Sequence, residues 1–152
     1  MKIRRIRLLF PLLAALLVLS GLTTGCSGGS AATQHALKMA PLSDLPAEVQ
    51  SAPVAVHQAY QFAVANPDVM QHIPCYCGCG AMGHASNYAC YVAGQNPDGS
   101  TQFDPHALGC SICVDITQDA MRLLKQGTSV TDIRAYVDNT YSRFGPSNMP
   151  QP

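Results

Sequence analysis

The sequence predicts a small, mostly α-helical domain over residues 47–145, in which a Cys/Gly-rich loop packs on a helix N-terminus. Three observations predict it. Apolar residues recur at spacings of three and four in three separate stretches, as amphipathic helices require. The stretch 72–84 breaks that period with Cys75, Cys77 and Cys79 interleaved with Gly78, Gly80 and Gly83, so it cannot be a regular helix. Finally, Cys110 and Cys113 open one of the helical stretches. A length of 152 residues fits one domain.

The elements follow in order. Lys2, Arg4, Arg5 and Arg7 precede the apolar run 8–19, the layout of an export signal over residues 1–25 and too short for a membrane span. Residues 26–46, rich in Ser, Ala, Thr and Pro, read as a flexible tether. From Pro53 to Asn66 the apolar positions Val54, Val56, Tyr60, Ala63 and Val64 predict a helix, with Pro53 suited to its first turn. Asn66-Pro67 ends it, and Asp68–Gln71 suits a further turn. Residues 85–92 are expected as a short helix and 94–101 as a polar loop. Ser111–Gln126 puts Ile112, Ile116, Ala120, Leu123 and Leu124 on one side, with Gly127 as its stop. Ser129 caps a last helix with Asp132 in a capping-box position, and Val130, Ile133, Tyr136, Val137 and Tyr141 form its stripe. Gly145-Pro146 closes the domain, and 146–152 reads as a disordered tail.

Composition narrows the chemistry. Charged residues make up only 12% of the chain, hydrophobic residues 47%, and the net charge is zero. Four of the nine basic residues lie in the leader, so the remainder carries five basic against nine acidic residues, near −4. An acidic domain with no basic patch is not expected to bind nucleic acid. No Ser/His/Asp arrangement, phosphate-cradling loop or paired catalytic carboxylates argues for a hydrolase. Val114 follows Cys113 where a c-type haem site has His.

The seven cysteines carry the argument. Small residues before Cys26 resemble the lipobox of bacterial lipoproteins, although Thr23 stands where that motif usually has Leu and Leu22 lies one step earlier. Cys26 is then a lipidation site; the alternative is an ordinary cleaved leader. Cys75, Cys77 and Cys79 at alternate positions converge on one side if the chain is extended. Neighbours at that spacing are poorly placed for a relaxed disulfide with each other and well placed to share a soft cation. Cys110 and Cys113 have the two-residue spacing common in zinc and iron–sulfur sites, and a helix N-terminus favours thiolate. An export compartment also permits disulfides, so a disulfide framework among the six remaining cysteines, or a mixed case with Cys90 in a disulfide, stays open.

Pro74-Cys75-Tyr76-Cys77-Gly78-Cys79 resembles, letter for letter, the motif of the bacterial PCYCGC (lipo)proteins, and the similarity runs from about Val56 to Tyr141. The resemblance implies an exported, often lipid-anchored protein that binds metal, and no particular reaction. The expected ligands are Cys75, Cys77, Cys79, Cys90, Cys110, Cys113 and His84, with His72, His106 and Met82 as secondary candidates. Tyr76, Tyr88 and Tyr91 are expected to shield the site from water. Thiolates suit Cu(I) or Zn(II), between which the residues do not choose. The expected function is carriage, buffering or sensing of a transition metal at the cell envelope, facing the extracytoplasmic side. The partners are then the membrane, the ion and a metal-receiving protein. Two alternatives remain: a thiol–disulfide oxidoreductase using Cys110 and Cys113, and an interaction domain stapled by structural zinc or disulfides.

Overall fold

The computed structural model describes residues 35–150; the expected leader, Cys26 and the first part of the tether lie outside the described residues. Five α-helices and one two-stranded antiparallel sheet form the described chain. They are α1 (Ala47–Gln50), α2 (Val54–Ala65), α3 (Pro67–Met70), β1 (Val92–Gln95), β2 (Thr101–Phe103), α4 (Ser111–Lys125) and α5 (Val130–Tyr141). None of these helices is long and apolar enough to cross a membrane.

The long helices sit where their apolar periodicity put them. Helix α2 buries Ala59, Tyr60, Phe62 and Ala63. It packs on α4, which buries Cys113, Val114, Ile116, Thr117 and Ala120. Helix α5 closes the other side with Ile133, Val137 and Tyr141. Ser129 caps α5 as expected: its Oγ accepts from the Asp132 amide at 3.2 Å and donates to Asp132 Oδ2 at 2.6 Å. Gly127, at φ +83°, ends α4 in a paired reverse turn. Its amide reaches Leu124 O at 2.9 Å, and the Thr128 amide reaches Leu123 O at 3.1 Å.

Three segments differ from expectation. Residues 85–92 are not a helix: only Tyr88–Cys90 makes a 3-10 turn, and Val92 opens β1. The expected polar loop 94–101 contains most of a hairpin, with Val92 opposite Phe103, Gln95 opposite Thr101, and a bulge between Val92 and Gly94. Asn96 and Ser100 close it through a turn containing Pro97, Asp98 and Gly99, the last at φ +84°. Residues 35–46 of the expected tether run along the helices. The His35 amide donates to Lys125 O at 3.0 Å, satisfying a carbonyl at the end of α4. Ala40 and Gln61 exchange bonds, the Ala40 amide to Gln61 O at 2.9 Å and Gln61 Nε2 to Ala40 O at 2.8 Å. Asn66, buried between α2 and α3, donates through Nδ2 to Lys38 O at 2.9 Å and Phe62 O at 2.7 Å.

Candidate metal centre

The six described cysteines come from three short pieces of chain that meet beside the N-terminus of α4. Cys75, Cys77 and Cys79 lie on the segment after α3, Cys90 ends the 3-10 turn before β1, and Cys110 and Cys113 open α4. All six are free thiols. Cys75, Cys79, Cys90 and Cys113 are buried; Cys77 and Cys110 are half-buried.

The first three converge through a turn and not through an extended strand. Alternate residues of a strand lie about 7 Å apart. Cys75 and Cys77 Sγ are 3.4 Å apart. Gly78, at φ +86°, swings the chain into the 3-10 turn Cys79–Met82, and Gly83, at φ +89°, ends it. Glycine reaches this left-handed conformation without the steric cost a Cβ would bring.

The sulfurs form one continuous group. Cys75 Sγ lies 3.3 Å from Cys113 Sγ, Cys77 Sγ 3.5 Å from Cys113 Sγ, and Cys79 Sγ 3.6 Å from Cys90 Sγ. Three independent disulfides would need only three separate pairs; here Cys113 and Cys77 each neighbour more than one thiol. Sulfurs bound to one tetrahedral zinc at ~2.3 Å stand roughly 3.8 Å apart, close to the spacings seen.

Two histidines join the thiols. His106, on the 3-10 turn His106–Leu108, places Nε2 3.4 Å from Cys77 Sγ. His84 stacks edge-on against His106, with ring centroids 5.1 Å apart. His84 Nε2 lies 3.4 Å from Asp104 Oδ2, while its Nδ1 is buried and has no hydrogen-bond partner among the described residues. A carboxylate on one ring nitrogen leaves the other lone pair for a metal, the usual arrangement behind a ligating imidazole. Asp104 also accepts the His106 amide on Oδ1 at 2.8 Å, so one carboxylate positions both histidines.

Burial and mutual contact distribute the charge unevenly. Hydrogen bonds from Cys113 and then Cys90 stabilise the Cys75 thiolate and pull its pKa down to about 2. Burial, and then the charge on Cys75, push the Cys77 and Cys79 thiols up. Cys113 is pushed far up, chiefly by its hydrogen bond to Cys75. The site therefore favours thiolate at Cys75 over its neighbours. A bound cation reverses that balance, because each ligating thiol must give up its proton.

The supporting shell is polar and largely hydrogen-bonded, with Asn87 Oδ1 buried and without a partner among the described residues. Tyr91 Oη lies 2.9 Å from Cys113 O and 2.7 Å from Thr117 Oγ1, which is itself 3.1 Å from Cys113 O. Tyr60 Oη donates to Asp104 O at 2.7 Å. The Asn87 amide donates to Ile73 O at 2.8 Å. Tyr76 and Tyr91 are buried and Tyr88 half-buried, in keeping with a shielding role. Residues 146–150, part of the expected disordered tail, lie against the site. Asn148 Nδ2 donates to His84 O at 3.0 Å and points to Cys79 Sγ at 3.6 Å.

Eight of the expected ligands thus meet: the six cysteines, His84 and His106. His72 is exposed in a surface groove with Asp68, Arg134 and Asp138, outside every Cys/His group. Met82 is 58% exposed. Asp104 and Asn148 were not among the expected residues; the Asp-Pro-His run, which suits an Asp side chain bonding an amide two residues on, is the one sequence sign of the former.

A family model described as a protein of unknown function with PCYCGC motif matches residues 15–152. No curated protein and no solved structure matches the chain. The match takes in every residue of the Cys/His cluster together with Asp104 and Asn148. The chain belongs to the family of proteins of unknown function that carry the PCYCGC motif.

Proposed function

We propose that this is a lipid-anchored protein of the cell envelope that binds a soft transition-metal ion, Cu(I) or Zn(II), through cysteine thiolates and carries or buffers it. The observation supporting this reading is the convergence of six free thiols and two histidines in one buried cluster with a carboxylate behind the imidazoles. Soft ligands of this kind select soft ions over Mg(II) or Ca(II). The lipid anchor at Cys26 and the extracytoplasmic location rest on the leader alone, and with them the expectation of a membrane surface and a metal-receiving protein as partners. The oxidoreductase alternative draws less support. Cys113 is fully buried and sits 3.3 Å from Cys75, so Cys110 has no exclusive partner.

The test is a count. The full-length chain, purified anaerobically in detergent without chelator, should carry metal and several thiols that become reactive only after chelation. A metal-free protein with three intact disulfides would sink the reading.

A further inference from the structure

We infer that the centre is binuclear, with an outer ion on Cys77, Cys110, Cys113 and His106 and an inner ion on Cys75, Cys79, Cys90 and His84. The inference deepens the metal-binding reading and rests on it.

The donors divide by geometry. The ligating atoms of Cys77, His106, Cys110 and Cys113 all lie within 4.8 Å of one another, and so do those of Cys79, His84, Cys90 and His106. His106 belongs to both groups, but a neutral imidazole offers one ring lone pair. Its Nε2 already stands 3.4 Å from Cys77 Sγ, which assigns it to the first group and leaves the second with three donors. Cys75 supplies the fourth donor: its Sγ is within 4.8 Å of Cys79 and Cys90, and at 3.3 Å from Cys113 and 3.4 Å from Cys77 it stands between the two groups. Six thiols and two imidazoles make eight donors, and two tetrahedral ions take eight. A single ion would leave four donors unused in a region where Cys75, Cys79, Cys90 and Cys113 are all buried.

The two halves differ in access. Cys75, Cys79 and Cys90 have almost no exposed surface, and His84 is oriented by Asp104 with a buried, unpartnered Nδ1. Cys77, Cys110 and His106 are half-buried, and Cys110 lines a surface pocket of about 290 Å³ with Val56, Leu108 and Asp115. Cys110 caps α4 without using its side chain, so its sulfur is free for an ion. The inner ion therefore ties the motif loop to the turn that carries Cys90, and the outer ion, which includes the half-buried donors, is the one that exchanges. Each ion that binds displaces to solvent the protons that its ligating thiols still carry, and no redox change occurs.

The test uses the full-length protein, reduced and metal-free, titrated with Zn(II) under nitrogen against a chromophoric chelator. Two zinc ions per chain are expected, bound in a tight and a weaker step. Cys110→Ser should lose the weaker step and retain the tight one. Cadmium NMR of the unsubstituted protein gives a readout that needs no variant to fold: two resonances are expected, and one in Cys110→Ser. Saturation at one zinc with a single cadmium resonance overturns the binuclear inference and leaves the metal-binding reading standing. So does equal loss of both steps in Cys110→Ser, or binding of Cu(I) with none of zinc. Failure to retain either zinc or Cu(I) overturns both.

Discussion

The amide of Cys75 donates to Asn148 Oδ1 at 2.7 Å, and the amide of Asn148 donates back to the Cys75 carbonyl at 3.1 Å. This reciprocal pair joins the central thiolate of the cluster to the C-terminal segment, 73 residues away in sequence. The same side chain donates to His84 O, so one asparagine ties down a thiol ligand and the loop bearing an imidazole. Asn148→Ala strands the buried Cys75 amide and should cost about 1–3 kcal/mol. Denaturant midpoints read that loss, and zinc affinity should fall with it. Asn148→Asp keeps the acceptor for Cys75 but removes the donor to His84 O and sets a carboxylate beside Cys79. It should therefore lower affinity more than stability.

The approach of the same segment depends on Gly145. A Cβ there would lie 2.9 Å from the Tyr76 carbonyl oxygen, a backbone atom within the motif that cannot swing aside. Its backbone is extended, so the constraint is space and not conformation. Gly145→Ala should destabilise by about 1–3 kcal/mol as an overpacking change. A thermal melt indistinguishable from the parent would show that the tail is not seated on Tyr76.

Gly78 presents the opposite case. Nothing lies within 4 Å of a Cβ added there, so only its left-handed φ resists substitution. Gly78→Ala should cost roughly 1–2 kcal/mol and draw Cys79 away from Cys90. Gly78→Asn, which tolerates the left-handed region better, should recover part of both losses. If Ala and Asn behave alike in melting and in metal titration, the turn does not set the position of Cys79.

Asp104 would act on a bound metal through the histidines. Asp104→Asn preserves an acceptor for the His106 amide but removes the negative charge beside His84 Nε2. Metal affinity should fall about 10–100-fold while the fold persists, because Asp104 keeps its main-chain bonds to Tyr60 and Tyr91. A competition titration beside a circular dichroism melt separates the two effects.

Much of this was legible in the chain. Helices α2, α4 and α5 follow from apolar spacing, and the start of α5 follows from Ser129 and Asp132. The thiol cluster follows from the alternate cysteines and the Cys110/Cys113 pair. What periodicity missed depends on long-range contact. The strands Val92–Gln95 and Thr101–Phe103 are too short and polar to show alternation, and they gain stability by pairing with each other. Asn148 sits in a polar stretch with no periodic signal, and its role exists only once the chain brings it to Cys75. The cysteines converge for a reason other than strand alternation: Gly78 turns the chain. The histidines could be ranked only after folding, because His72 and His84 stand at similar distances from the motif and face different surroundings.

The charge distribution predicts how binding responds to pH. Cys77 and Cys113 are held protonated above the ordinary thiol range, by burial in one case and by the bond to Cys75 in the other. Both must ionise to ligate the proposed outer ion. Cys75, whose thiolate is favoured by hydrogen bonds from Cys113 and Cys90, contributes less to the release. The sign is fixed: the free site binds more protons than the loaded one, so affinity rises with pH and falls in acid. The protons of Cys77 and Cys113 alone make the apparent affinity of the proposed outer ion climb at least about a hundredfold per pH unit around neutrality. Calorimetric titration of zinc in buffers of different ionisation enthalpy measures the protons released. A value near zero would mean that thiolates already stand at these positions in the free protein.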